Sequence, residues 1–302
     1  MQWSNHGSFI EIYPPKEFNF DECLVFLGRS QEEVLHQIRD GLLYKLINVN
    51  VELILCRIGF VQHVIHVDFP IRPLSMTSDE EIVAYIWEWF DLDQDLSIFY
   101  EVAKQDKILQ QIHKRYYGLR MMCIPDLFEA LTWAIMGQQI NLTFAYKLKQ
   151  RFVEHFGECL TFEGNTFWLY PTYERIATLG VEDLITLQFT VRKAEYVIGV
   201  AEAMRNGELT KEMLLQEPTY LQAQKSLLGI RGVGPWTADY VLMKCLHYPD
   251  AFLITDVGLH NALKAQLGLE RKPTIEEIKE MATNWEGWQA YATFYLWRSL
   301  YE

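Results

Sequence analysis

The chain has 302 residues, half of them hydrophobic and 14% aromatic, with a formal net charge of −13 at pH 7. This composition excludes extended disorder, leaves room for two domains or three small ones, and offers no apolar run of the ~20 residues a membrane span needs. The start, MQWSNHGSFIEIY, lacks the basic head and apolar core of a signal peptide, so a soluble cytoplasmic protein is expected.

In chain order, FIEIY (9–13), VNVELILCRIGF (49–60) and VQHVIHVDF (61–69) carry β-branched residues in partial alternation. They read as strands of an antiparallel sheet. His63 and His66 fall in the last of these, where their spacing points them to opposite faces, as ordinary strand residues. Residues 21–29 and 30–40 show shorter helical or looping patterns. Ser78 is placed to cap a helix over 79–90 with Asp79, Glu80 and Glu81 in its first turn. DLDQD at 91–95 lacks the glycine and distal glutamate of a calcium loop, and helix capping accounts for its acids. A Lys/Gln-rich helix over 104–115 ends at Tyr116-Tyr-Gly118. A boundary there gives an N-terminal α+β domain, 1–115, and a mostly helical region, 116–302.

In the second region Asp126 caps a helix over 127–136 that is apolar on most of its surface, as a buried helix is. GQQIN at 137–141 breaks it, and Asn141 caps the next helix, 142–155, which ends at Gly157. Small strands are expected within 160–170. Helices follow at 176–179, 181–187, 190–205, 211–215, 220–228, 235–246, 256–267, 274–283 and 285–300.

The acidity is uneven: residues 1–115 hold 10 Lys+Arg against 18 Asp+Glu, and residues 116–302 hold 17 against 22. No basic stripe is present to steer a nucleic acid from afar, although local patches can still hold phosphate. Cys23, Cys56, Cys123, Cys159 and Cys245 are odd in number and far apart. They fit reduced thiols and lack the clustering of an iron–sulfur centre.

The chemistry concentrates in 227–256. GIRGVG at 229–234 makes a tight reversal between two helices, and Pro235 suits the first position of the second. N–H groups at that helix start suit a phosphate. Gly229, Arg231, Gly232, Val233, Gly234 and Thr237 are therefore the candidate contacts to a phosphate backbone. A helix cap with no ligand would use the same glycines.

Leu228-x-Gly-Ile-x-Gly-Val-Gly234, followed by Thr237-Ala-Asp-Tyr240, resembles the helix–hairpin–helix motif (about 221–247) of base-excision DNA glycosylases. In that superfamily a catalytic aspartate follows the second helix. Asp256 stands 22 residues past Gly234 (256 − 234), in ITDVGL. An aspartate before a helix is also an ordinary N-cap. The resemblance covers about 118–302 and is to the bacterial 3-methyladenine (AlkA) type, through Phe128 to Gln138, the hairpin, and Trp285-x-x-Trp-x-x-Tyr291 leading to Trp297. It implies an α+β chain in which an antiparallel-sheet domain precedes a helical glycosylase domain pair.

Bifunctional members place a nucleophilic lysine two residues after the last hairpin glycine. Here that residue is Trp236. Without the amine there is no Schiff base, so the resemblance implies a monofunctional enzyme. Such an enzyme flips alkylated purines (3-methyladenine, 7-methylguanine) out of double-stranded DNA and hydrolyses the glycosidic bond, leaving an abasic site. It implies Asp256 as the ionised catalytic carboxylate. It also implies a base pocket of Trp236, Tyr240 and Trp297, with Phe26 and Phe20 reaching in from the N-terminal domain. A cation over an aromatic face is worth about 0.5–2 kcal/mol. With 9 Trp, 16 Tyr and 17 Phe in the chain, the same rings are also core candidates.

The wedge for the gap left by the flipped base would be Gln139, beside Gln138, where relatives usually have an apolar residue. No cofactor is required. Backbone carbonyls of Leu228, Ile230 and Val233 match the positions that hold a monovalent cation (Na or K) in the family. A monomer acting on DNA is expected. A bifunctional lyase and a non-catalytic hairpin DNA-binding protein are the alternatives.

Overall fold

The computed structural model describes residues 1–72 and 79–301, so the expected Ser78 cap lies outside the described residues. Six strands, β1 (Trp3–Asn5), β2 (Phe9–Ile12), β3 (His36–Arg39), β4 (Leu42–Val49), β5 (Glu52–Val61) and β6 (Val64–Ile71), form one antiparallel sheet in the order β1-β2-β6-β5-β4-β3. Its inner face is built by alternation: Ile10 and Ile12, Ile54, Cys56 and Ile58, then Ile65 and Val67 are fully buried. Helices α1 (Phe20–Leu27) and α2 (Asp79–Trp89) complete this part.

The expected strand over 49–60 divides, because Asn50 and Val51 take φ of 52° and 71° and turn the chain between β4 and β5. β4 itself escapes a sequence reading. LLYKLINV is buried on both faces along most of its length, so it shows no alternation. β3 falls within 30–40, read as helical or looping. His63 is a turn residue at φ 64°, next to Gln62 at φ 51°, and His66 alone stands on a strand, 3.7 Å from Glu11.

The helical part comprises α3 (Ser97–Gln105), α4 (Leu109–Arg115), α5 (Leu127–Gly137), α6 (Leu142–Phe156), a hairpin of β7 (Cys159–Phe162) and β8 (Asn165–Trp168), then α7 (Tyr173–Ile176), α8 (Val181–Ile185), α9 (Val191–Arg205), α10 (Lys211–Leu215), α11 (Tyr220–Leu228), α12 (Pro235–Lys244), α13 (Val257–Leu267), α14 (Ile275–Met281) and α15 (Gln289–Arg298). The expected helix over 104–115 divides at Asp106, whose Oδ1 accepts the N–H groups of Ile108 and Leu109 at 2.8 and 2.9 Å and starts α4. The last expected helix, 285–300, is shortened: α15 starts at Gln289, after a 3₁₀ turn (Ala282–Trp285) and Gly287 at φ 79°. The caps Asp126 and Asn141 stand as expected, accepting from Glu129 and Phe144. Helix α5 buries every residue except Glu129 and Gly137 and packs against α6, α9 and α12.

One continuous core runs through both parts. A polar network also joins them. His247, after α12, lies 2.7 Å from Asp91 and 3.2 Å from Glu88, while Lys211 pairs with Glu88 and the Tyr291 hydroxyl donates to Asp91. The acids of 91–95 are thus occupied by protein partners: Asp93 takes the Trp87 indole N–H at 2.7 Å and Asp95 takes the Ser97 N–H at 2.9 Å. No helix among the described residues is long and apolar enough to cross a membrane.

Candidate active site

The site is built on the reversal between α11 and α12. Gly232 takes φ 95°, and a Cβ there would lie 2.3 Å from Cγ of Tyr196, so both the backbone and the packing demand glycine. The Val233 N–H donates to Ile230 O at 3.0 Å and closes the turn. Pro235 then opens α12, where its missing N–H costs nothing. Gln138, at the end of α5, clamps the turn by donating from Nε2 to Gly232 O (2.9 Å) and Thr237 Oγ1 (3.0 Å). A Cβ on Gly234 would meet nothing within 4 Å, which leaves the backbone at the helix start approachable. Arg231 is 76% exposed and pairs with Glu195 at 2.6 Å, a surface contact of little energetic weight.

Across from the turn, Asp256 caps α13 by accepting the Leu259 N–H on Oδ1 at 2.8 Å. The same oxygen accepts the indole N–H of Trp297 at 2.8 Å, and Oδ2 accepts that of Trp236 at 3.0 Å. All three partners are N–H donors, so both oxygens serve as acceptors, as those of an ionised carboxylate do. Gly258 makes this possible: a Cβ there would lie 2.8 Å from Asp256 Oδ1 and 3.0 Å from Trp297 Nε1.

Asp256 opens onto a cleft. Trp236 stacks on Tyr240 at 5.4 Å, and the Tyr240 hydroxyl accepts the Trp133 indole N–H at 2.9 Å. Burial pushes the Tyr240 phenol well above its usual range, so it is a neutral hydroxyl. Phe26 enters from α1 with Arg29 over its ring at 4.0 Å. Leu142, Val257 and Leu300 give the cleft an apolar, solvent-facing rim.

The structure thus brings Asp256, Trp236, Tyr240, Trp297, Phe26, Gln138, Gln139, Gly232, Gly234 and Thr237 to one cavity. Leu228, Gly229, Ile230, Arg231 and Val233 belong to the turn but do not line the cleft. Gln139 is exposed at φ 57° on the rim, whereas Gln138 is held by the turn. Phe20 does not reach the site. It packs against Phe18, Phe60 and Phe90 in the core of the sheet domain. Sequence reasoning missed Arg29, Trp133, Tyr196, Lys244 and Tyr301, which also line the cleft. For Lys244 the signal was present, at four-residue spacing after Trp236 and Tyr240 on one face of α12.

A glycine hairpin clamped beside an aromatic cleft with a helix-capping aspartate defines a helix–hairpin–helix protein. The family model for the HhH-GPD superfamily base excision DNA repair protein matches residues 132–289, and that for the 8-oxoguanine DNA glycosylase N-terminal domain matches residues 18–131. The chain belongs to the HhH-GPD superfamily of base excision DNA repair proteins. It is 45% identical to the DNA-3-methyladenine glycosylase of Bacillus subtilis, over the whole of both chains. It is 29% identical over 180 residues to DNA-3-methyladenine glycosylase 2 of Escherichia coli, covering 60% of each chain. Among solved structures, the 3-methyladenine DNA-glycosylase of Archaeoglobus fulgidus shares the fold with a TM-score of 0.80 at 23% identity, covering 95% of this chain and 97% of that one.

Proposed function

We propose that the chain is a monofunctional DNA glycosylase that flips alkylated purines, 3-methyladenine and 7-methylguanine, out of duplex DNA and hydrolyses the glycosidic bond, leaving an abasic site. The observation that carries this reading is Asp256 held between two indoles at the mouth of an aromatic cleft, with Trp236 where a lyase would need its lysine. Its 45% identity to the Bacillus subtilis DNA-3-methyladenine glycosylase supports it.

Alkylation at N3 or N7 makes the purine cationic and a ready leaving group. The rings of Trp236 and Tyr240 offer the electron-rich faces such a base favours, by about 0.5–2 kcal/mol. As the bond breaks, positive charge develops on the sugar. The Asp256 carboxylate stabilises that charge and takes a proton from the water whose oxygen bonds to C1′. Gln139 fills the gap in the duplex and hydrogen-bonds the orphaned partner base. The backbone of Gly232, Gly234 and Thr237 faces a phosphate at the start of α12, and Arg231, Gly229 and Val233 support it from the turn.

The carbonyls of Leu228, Ile230 and Val233 are those that would hold a monovalent cation. Ile230 O already accepts the Val233 N–H at 3.0 Å and retains a second lone pair. An ion there would add positive charge beneath the phosphate. On this reading no other cofactor is needed, and residues 116–302 carry the chemistry of a cytoplasmic monomer.

Release of 3-methyladenine and 7-methylguanine from a methylated duplex, run beside a borohydride-trapping assay, tests the reading. Free base without a nick or trapped adduct is expected. A trapped adduct would establish a lyase instead, and DNA binding without base release would leave a binding module.

A further inference from the structure

Lys244 is a basic group of the cleft to which the reading above gives no task. It closes α12 and follows Trp236 and Tyr240 at intervals of four, so the three share one face of that helix. Phe26, which also lines the cleft, lies beside the Lys244 amine. Trp236, Tyr240, Lys244 and Asp256 all line the same cleft, and Lys244 also borders a small chamber behind it.

Lys244 is 3% exposed, and its amine is poorly partnered. Its nearest polar contact is the thioether of Met121 at 4.0 Å, and it lies 4.7 and 5.3 Å from the ring centroids of Phe294 and Phe26. Two other buried lysines have oxygen acceptors: Lys149 has Glu33 at 2.9 Å, and Lys193 has Met136 O at 2.6 Å. Among the described residues no carboxylate lies within 4.0 Å of Lys244. A buried ammonium with spare N–H groups is costly unless an acceptor arrives.

Burial lowers its pKa to about 7; the Arg29 charge pushes the same way, while Cys123 and Asp91 oppose it. Across the rear chamber Glu33, His36, Lys45, Glu129 and Lys149 also face it. The amine is therefore protonated in part near neutrality and gives its proton up readily, as a general acid must.

A cationic alkylpurine needs no such acid, because its leaving group is already charged. A neutral damaged purine, deaminated or bearing an etheno bridge, does need one, and its ring nitrogens N3 and N7 are free acceptors. We propose that Lys244 is the proton donor to neutral purine leaving groups, an inference that rests on the glycosylase reading above. As the C1′–N9 bond breaks, its electron pair goes to the purine, and the Lys244 ammonium passes a proton to N7 or N3. Water bonds to C1′ and yields a proton to Asp256. The base departs neutral, Lys244 regains its proton from solvent and Asp256 releases its own.

The test measures single-turnover excision of hypoxanthine and of 7-methylguanine from otherwise identical duplexes by wild type, Lys244→Met and Lys244→Arg, between about pH 5.5 and pH 9. Wild-type hypoxanthine release should fall as pH rises through about 7. Lys244→Met should lower the hypoxanthine-to-7-methylguanine rate ratio by roughly 10²-fold. Lys244→Arg, which stays protonated, should lose the basic fall. An unchanged ratio, a pH profile identical for both bases, or no hypoxanthine release by a wild type active on 7-methylguanine would overturn the proposal. A borohydride-trapped adduct that disappears in Lys244→Met would reassign the amine as a nucleophile. If wild type releases neither base, the glycosylase reading itself fails.

Discussion

Trp236 and Trp297 hold the two oxygens of one carboxylate: the first indole donates to Oδ2 of Asp256 and the second to Oδ1. The carboxylate is therefore fixed on both sides before any DNA arrives. Residues first singled out as pocket walls turn out to position the acid as well.

Asp256→Asn should stop excision and spare the fold. Asparagine caps helices as well as aspartate does, so the Leu259 N–H keeps an acceptor and the melting temperature should scarcely move. Activity should fall by roughly 10²–10⁴-fold, since the charge is lost together with the acceptor for the Trp236 N–H. Near wild-type release of 7-methylguanine would remove Asp256 from the mechanism.

Trp236→Phe and Trp297→Phe keep a ring and delete one N–H each. A hydrogen bond to a charged group contributes about 1.5–3 kcal/mol, which predicts a rate loss of roughly ten- to a hundredfold for each if the bond is needed to aim the carboxylate. Combining either with Asp256→Asn should add little further loss. A fully additive double variant would show that the indoles act on the base alone.

Two glycine substitutions should separate chemistry from folding. Gly258→Ala places a Cβ against Asp256 Oδ1 and Trp297 Nε1, so activity should drop at least tenfold, while alanine's greater helix propensity, about 1 kcal/mol, offsets part of any destabilisation. Gly232→Ala meets both φ 95° and the Tyr196 ring and should cost more than about 1 kcal/mol in stability. Denaturant melts beside excision rates give the comparison.

His247 should make stability fall as pH rises. Burial lowers its pKa, but Cys123, Asp91 and Glu88 outweigh that and hold it well above its ordinary 6.5. A raised folded-state pKa gives stability that is complete below the unfolded value and lost progressively above it. The wild-type melting temperature should therefore decline between about pH 6.5 and pH 9 more steeply than that of His247→Gln. Parallel curves would mean that the Asp91–His247–Glu88 network carries no proton-linked stability.

Gln139→Ala should slow excision from a fully paired duplex more than from a mismatched one, because the wedge matters most where unpairing is most costly. Equal slowing on both substrates would place Gln139 outside the opening step.

The second half of the fold was largely legible in the chain. Asp126, Asn141 and Asp256 announce helices through caps that depend on neighbours three residues away. The N-terminal sheet was less so. β4 is buried on both faces and loses its alternation, and Val51 occupies a turn that its β-branched side chain disguises. In the site, the family resemblance pointed to Asp256 and Trp236, both of which lie close to the hairpin in sequence. Arg29, Trp133 and Tyr301 come to the cleft from distant segments, and Phe20 and Phe26 share a helix but face different neighbours. Sequence distance hides the first group, and helical phase divides the second.

The hairpin presents neutral backbone N–H groups and a single exposed arginine, Arg231, in a chain of net charge −13. On the proposed reading, docking to DNA displaces few condensed counterions. Affinity for undamaged duplex then depends only weakly on ionic strength. Such an enzyme searches by brief contacts and frequent release, and it stays only where a base yields to the cleft.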